Sequence, residues 1–362
     1  MFSEALSLAK RPAILVGGGA YKAREAIAEF ATANGIPCFR TWNAFDIITD
    51  DMPIYCGTVG TYGGPGRNFG IQNCDLLLAL GCRMSGRITG GMPNTFAREA
   101  MRHVVDIDKV TSEVDYQLVL SHHHYTQSCE KFMRELEYDG GAQWPDWLAR
   151  CRTWLYKYDP VLAYTDFEGH YHKMRRLSQS LPADAIVVYD TGGNAIMMGH
   201  CFQSKRGQRI FSSNGNTPMG FSMCGAIGAW FAEPSRPVHC IIGDGGMTMN
   251  IQELQTMVNY GVDITIHIFN NHILGNTKSY QRVNGMKEVA CGPDGYNPPD
   301  FVKVAKAFGV KVNDIVDHDA CTYEPRISRW DVPVEDAYPF LPRDEFASNM
   351  IIKPWKGWEK IM

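Results

Sequence analysis

Gly243-Asp244-Gly245-Gly246 and Asn270-Asn271 are the residues of this sequence best suited to chemistry. Asp244 offers a carboxylate oxygen and Asn271 an amide oxygen, the donors a hard divalent cation takes. The backbone carbonyl of Ile273, just beyond, is a candidate third oxygen. Magnesium prefers octahedral oxygen coordination and commonly keeps phosphate oxygens among its ligands. Glycines around Asp244 let the backbone approach a diphosphate, and a helix starting there adds amide donors. A GDG triplet alone is weak, because an ordinary strand-turn-helix with a surface aspartate contains it. The triplet followed by a helix, a strand and a terminal asparagine pair is far more specific.

The elements that must position these residues read as a βαβ unit. The strand Val238 to Ile242 ends at Gly243, which puts Asp244 at its carboxyl end. The next helix is expected to carry Ile251, Leu254 and Val258 on its apolar face and to end at Gly261. The strand Ile264 to Phe269 then runs parallel to the first, so Asp244 and Asn271 meet at one rim of the sheet. Ligands of open α/β sheets bind at that rim. Upstream, Ala185 to Asp190 reads as a strand and SMCGAIGAWFA as a small-residue helix. Nearer the start, Pro12 to Gly17, Asp75 to Gly81 and His103 to Asp108 read as buried strands. A helix between the first two buries Ala23, Ile27, Phe30 and Ala31 and stops at Gly35. The expected fold class is α/β, with two doubly wound parallel-sheet domains and an extended C-terminal tail. The boundaries read 1–135, a helical connector over 136–180, 181–320, and a proline-rich tail over 321–362.

The stretch from Gly243 through Gln281 resembles the thiamine diphosphate (ThDP) motif of acetolactate (acetohydroxyacid) synthases and related 2-oxo acid enzymes. The similarity covers nearly the whole chain. It implies a diphosphate and magnesium site at Gly243, Asp244, Gly245, Gly246, Asn271, Ile273, Leu274 and Gly275, with Asp244, Asn271 and Ile273 as metal ligands. SSNGNTPMG resembles the family segment whose methionine wedges between the cofactor's rings, which implicates Thr217 and Met219. Without the resemblance Met219 would read as core filler. VYDTGGN resembles a further diphosphate loop, implicating Thr191, Gly192, Gly193 and Asn194. On the substrate side, Asn276, Thr277 and Tyr280 replace the methionine, valine and tryptophan of true acetolactate synthases, so the pocket is expected to be more polar.

The first half resembles the family's middle domain, which holds FAD in flavin-containing relatives and ADP in some others. The positions this implies are Gly18, Gly19, Thr61, Gly63, Gly81, Arg83, Arg87, Asp106 and Ile107. Ser85 and Gly86 stand where typical synthases carry aspartates between the two arginines. The resemblance also implies what should complete the site. Family members open with a pyrimidine-binding domain whose glutamate favours the cofactor's imino tautomer, and no residue here matches it. The chain opens with Met at the start of the middle domain, so the expectation is one subunit of a split, oligomeric enzyme. A pyrimidine-domain partner should then dock on an exposed apolar face. The implied reaction is ThDP- and Mg²⁺-dependent decarboxylation of a pyruvate-like 2-oxo acid with transfer of the acyl carbanion equivalent to a carbonyl acceptor. Simple decarboxylation and a catalytically silent ThDP-binding scaffold are the rivals. GGGAYKA lacks the spaced glycines of a nicotinamide site.

Composition bounds the rest. In 362 residues, 45% are hydrophobic and 20% charged, as in globular chains. A net charge of -4 and the lack of a long basic run argue against nucleic acid. No apolar stretch reaches the roughly 18 residues of a membrane-spanning helix. Eleven scattered cysteines without a CxxC pair point to reduced thiols and a cytoplasmic location. His122, His123 and His124 are expected on a solvated loop.

Overall fold

The structure is a computed structural model that describes residues 1–61, 63–90, 93–108, 122–138, 140, 144–163, 169–310 and 326–331. These fall into two compact units, one up to Ala163 and one after it.

The first unit is built on a six-stranded parallel sheet. Its strands are β1 (Pro12–Val16), β2 (Cys38–Arg40), β3 (Tyr55–Thr58), β4 (Leu76–Leu80), β5 (Met101–Asp106) and β6 (His123–Thr126). The order is β3-β2-β1-β4-β5-β6, every neighbour parallel. Chain progression reverses between β1 and β4, which defines a switch point. β1 and β4 are buried at every residue, as central strands covered on both faces must be. The loops after them pack backbone on backbone. A Cβ on Gly17 would lie 2.2 Å from the Gly81 carbonyl oxygen, and Gly81 itself takes φ +57°. Helix α1 (Arg24–Asn34) turns Ile27 and Ala31 inward, leaves Phe30 half-buried, and ends in left-handed Gly35.

The segment expected as one connector is divided. Helix α2 (Pro145–Lys157) belongs to the first unit, where the Trp147 indole donates to the Pro12 carbonyl at 2.9 Å and Trp154 stacks edge-on against Phe69. Helix α3 (His170–Ser180) belongs to the second. The three histidines also differ from expectation. His123 and His124 open edge strand β6, and the His122 amide donates to the Arg102 carbonyl. The His123 ring lies 4.6 Å from that of buried His103.

His103 gives a pH prediction. Its Nδ1 meets the Tyr125 hydroxyl at 2.9 Å, while its Nε2 is buried without a partner. Burial, and then the neighbouring His123, push its pKa down from 6.5 to about 4. The folded value lies below the unfolded one, so this contribution to stability is complete above pH 6.5 and is lost as pH falls toward 4. Chemical denaturation at pH 7 and pH 4.5 should show His103→Gln losing less stability on acidification than the parent, by roughly 2 kcal/mol. Equal losses would show that His103 does not report the transition.

The second unit carries a five-stranded parallel sheet of β7 (Ile186–Tyr189), β8 (Arg209–Phe211), β9 (Val238–Gly243), β10 (Thr265–Asn270) and β11 (Arg326–Asp331). The order is β11-β10-β9-β7-β8, so the switch point lies between β7 and β9. The crossover from β9 to β10 is two helices, α5 (Asp244–Met249) and α6 (Glu253–Tyr260), rather than one. Leu254 and Met257 turn inward, whereas Val258 is 41% exposed, because the break at residues 250–252 resets the helical phase. Helix α4 (Phe221–Ala232) covers β7 and β9 through Met223, Ala226 and Ile227. β11 adds a parallel edge strand to β10 within the expected tail. The rest of that tail, from residue 332, lies outside the described residues. Both sheets and their intervening helices are thus the α/β class expected.

Candidate functional site

The site grows from three strand ends. β7 delivers Asp190, β9 delivers Asp244, and β10 delivers Asn271, all at the carboxyl rim beside the switch point. They line one cavity of about 260 Å³. Thr191, Gly192, Gly193, Asn194, Thr217, Met219, Gly243, Gly245, Gly246, Ile273, Leu274, Gly275, Asn276 and Thr277 line it too. Tyr280 does not; it stands 61% exposed on helix α8 (Gly275–Val283).

The wall is rich in backbone donors. Three helices begin at it: α5, α8 and α7 (Gly193–Cys201), and none receives a hydrogen bond from its N-cap side chain. Aligned amides at such starts favour an anion. Gly192 holds φ +79° to turn the chain into α7. Two non-glycine residues take positive φ at this rim, Thr217 at 51° and His272 at 57°. For a β-branched residue that is a strained conformation, of the kind found at ligand sites.

The two carboxylates differ in their partners. Asp190 is buried and accepts from the Thr191 amide at 2.7 Å, the Ser222 hydroxyl at 3.0 Å and the Ser222 amide at 3.3 Å. It ties the loop after β7 to the start of α4, two residues past Gly220. Burial raises its pKa, and these donors hold it back. Asp244 is also raised by burial, opposed first by a hydrogen bond from Tyr296. Asn271 Oδ1 accepts weakly from the Ile273 amide at 3.3 Å. Asn194, 5% exposed, has an amide oxygen with no hydrogen-bond partner. An uncompensated polar atom in a buried wall calls for a ligand.

The donor set therefore fits a diphosphate with a hard cation: one carboxylate, one amide oxygen, nearby carbonyls and three helix starts. No group of three or more His, Cys, Asp or Glu that could hold a metal occurs among the described residues, so thiolate or imidazole metal chemistry is not what this wall offers. The cavity is smaller than the ~300–1,000 Å³ of pockets that enclose whole ligands, so it has room for part of such a ligand. Met219 is 40% exposed, and its Cε lies 2.9 Å from where a Cβ on Gly245 would sit.

A family model described as the C-terminal TPP binding domain of thiamine pyrophosphate enzymes matches residues 190–326, and the model of their central domain matches residues 2–134. The chain belongs to the thiamine pyrophosphate enzymes. Within this family it is similar to acetolactate synthase large subunits. It is 30% identical over 387 residues to the "Probable acetolactate synthase large subunit" of Methanocaldococcus jannaschii, covering 99% of this chain and 64% of that protein. It is 30% identical to the protein of the same name from Methanococcus aeolicus, covering 86% of this chain and 54% of the relative. The "Acetolactate synthase isozyme 2 large subunit" of Escherichia coli K12 is 30% identical, with 87% of this chain and 57% of the relative covered. The chain thus spans a little over half the length of these relatives.

The central-domain positions gather at the other sheet's carboxyl rim. Gly18 and Gly19 follow β1, Thr61 and Gly63 follow β3, Gly81 and Arg83 follow β4, and Asp106 and Ile107 close β5. Arg87 stacks its guanidinium 5.3 Å over the Trp42 ring, and its carbonyl accepts from the Thr61 amide. Ile107 is 75% exposed. Sequence reasoning missed Asp190 and Phe269 as lining residues and Tyr296 as a partner of Asp244. Asp190 directly follows β7 and Phe269 is the penultimate residue of β10, so both stand at the ends of apolar strands, which is a signal; Tyr296 has none. No described helix is long and apolar enough to cross a membrane. The described cysteines are free, and all but Cys224 are buried.

Proposed function

We propose that this chain forms the diphosphate and metal side of a ThDP- and Mg²⁺-dependent enzyme that decarboxylates a pyruvate-like 2-oxo acid and transfers the acyl carbanion equivalent to a carbonyl acceptor. The observation that carries this reading is the meeting of buried Asp244, Asn271 and Asn194, whose amide oxygen has no hydrogen-bond partner, at one switch-point cavity. Bound thiamine diphosphate supplies an electron sink for the carbon left by decarboxylation. The chain's own residues do the rest. Asp244, Asn271 and the Ile273 carbonyl hold the cation, and the amides of α5, α7 and α8 neutralise phosphate charge. Asp190 holds the start of α4, just after the turn carrying Met219, and Met219 would pack against the cofactor. Asn276 and Thr277 face the substrate end and favour a polar acceptor.

Among the described residues, the cavity's carboxylates are Asp190 and Asp244, and no glutamate lines it. In our reading the pyrimidine-side glutamate comes from a domain outside these residues, on the same polypeptide or on a separate one. The relatives' names, large subunits, support an oligomer with a partner. Phe231 and Tyr260, half or more exposed with rings 5.7 Å apart, offer an apolar face for docking. The test is calorimetric titration with ThDP, with and without Mg²⁺, followed by product analysis from pyruvate and a keto-sugar acceptor with a pyrimidine-domain protein present. Failure to bind ThDP in the presence of Mg²⁺ overturns the reading.

At the rim of the first sheet we propose a nucleotide site for FAD or ADP, with Arg83 and Arg87 meeting its phosphates. Titration with each nucleotide should show binding weakened about tenfold by Arg83→Ala and again by Arg87→Ala, the worth of one charge-assisted bond each. A protein that is colourless and takes up neither nucleotide refutes it.

A further inference from the structure

The hydroxyl of Tyr296 donates to Asp244 Oδ2 at 3.0 Å. Tyr296 is not itself among the residues that line the cavity. Its hydroxyl lies 3.5 Å from where a Cβ on Gly245 would sit, against the turn that presents the aspartate. The tyrosine is firmly delivered. Its amide donates to the Gly292 carbonyl at 2.6 Å, and the carbonyl of neighbouring Cys291 accepts from Leu274 at 2.9 Å. Further back, Gln281 exchanges hydrogen bonds with the backbone of Val289, and Arg282 pairs with Glu288 at 2.8 Å. The segment is thus pinned to α8 and to the strand-end turn at once.

A carboxylate with one oxygen committed to a hydroxyl offers the other to a cation. That matters because the two common hard cations differ. Mg²⁺ is small, holds to an octahedron and keeps waters and phosphate oxygens, so one carboxylate oxygen suits it. Ca²⁺ takes six to eight oxygens and readily accepts both oxygens of one carboxylate. We propose that Tyr296 is a positioning residue that sets cation selectivity, holding Asp244 to one-oxygen coordination and so favouring Mg²⁺ over Ca²⁺. This rests on the reading of Asp244 as the cation's carboxylate ligand.

The experiment titrates MgCl₂ and CaCl₂ separately into the full chain at saturating ThDP, by calorimetry, for the parent, Tyr296→Phe, Tyr296→Leu and Asp244→Ala. Both hydroxyl-free variants should move the ratio of Ca²⁺ to Mg²⁺ affinity about fivefold toward Ca²⁺, the worth of one added oxygen contact. A packing role alone would lower both affinities, or the melting temperature, and leave the ratio in place. The Phe variant keeps the ring beside Gly245, and the Leu variant repeats the test with that ring gone. An unchanged ratio in the variants, with Asp244→Ala losing both cations, overturns the role of Tyr296 alone. Retained cation binding in Asp244→Ala overturns the reading beneath it.

Discussion

Asp244→Ala abolishes Mg²⁺-dependent ThDP binding and leaves the fold intact: this is the result expected from calorimetry and a thermal melt taken side by side. Asp244 is 3% exposed and begins α5 where β9 ends, so its carboxylate stands at the cavity wall rather than in the apolar core. Burial holds its pKa above the ordinary carboxylate value, opposed by the hydrogen bond from Tyr296. Removing it relieves the burial of a carboxylate and gives up the Tyr296 hydrogen bond, effects that oppose one another, so the fold should survive the change. In our reading it costs the loaded protein the carboxylate that would hold the cation. Changing outer partners of metal ligands loses about 10–100-fold in affinity, and deleting the ligand itself should lose more. Asp244→Asn is the control for shape, since it keeps one oxygen and drops the charge. Cofactor affinity unchanged in the alanine variant would remove the metal assignment.

What was legible in the residues was whatever depends on apolar runs and on the chemistry of strand ends. β1 and β4 are continuous apolar segments because they are covered on both faces, and such segments announce themselves; β9 is nearly so, interrupted by half-buried His239. Asp244 and Asn271 follow from the parallel βαβ rule, which places the ends of β9 and β10 together. Short strands are different. β2 and β8 have three residues each and exist because a neighbouring strand offers hydrogen bonds, which no local pattern encodes. β11 is of the same kind: ISRW among prolines reads as tail until β10 pairs with it. Val258 was expected inward by counting from Ile251 through one helix, but the chain breaks before Glu253 and Met257 takes the place. The Asp190 carboxylate looks like an ordinary strand-end acid until Ser222 is brought to it from 32 residues away. Tyr296 reaches Asp244 across 52 residues through an irregular loop. Contacts of that length carry no periodicity and no spacing rule.

The second large effect concerns completeness of the site. The 362-residue polypeptide, given ThDP, Mg²⁺ and pyruvate, should not turn over at an enzymatic rate, whereas adding a pyrimidine-domain protein should restore turnover. The cavity wall holds phosphate donors, a carboxylate for the cation and Met219, but its two acids are already committed. Asp190 accepts three hydrogen bonds from Thr191 and Ser222, and Asp244 is bound by Tyr296 and assigned to the cation. Neither is left to exchange a proton with the far end of the cofactor. A missing, positioned acid-base group typically costs about 10²–10⁴-fold. Solvent adds to the loss. Met219, on the cavity wall, is 40% exposed, so the wall is open to water there. A closed site strengthens the electrostatics inside it and keeps reactive carbon from being quenched by protons. A covering domain would supply both the acid and the closure, and the two can be separated. A covering domain whose glutamate is changed to glutamine should bury Met219, seen as protection from oxidation, without restoring turnover. Robust turnover by the 362-residue polypeptide alone would mean that one of its own residues activates the cofactor.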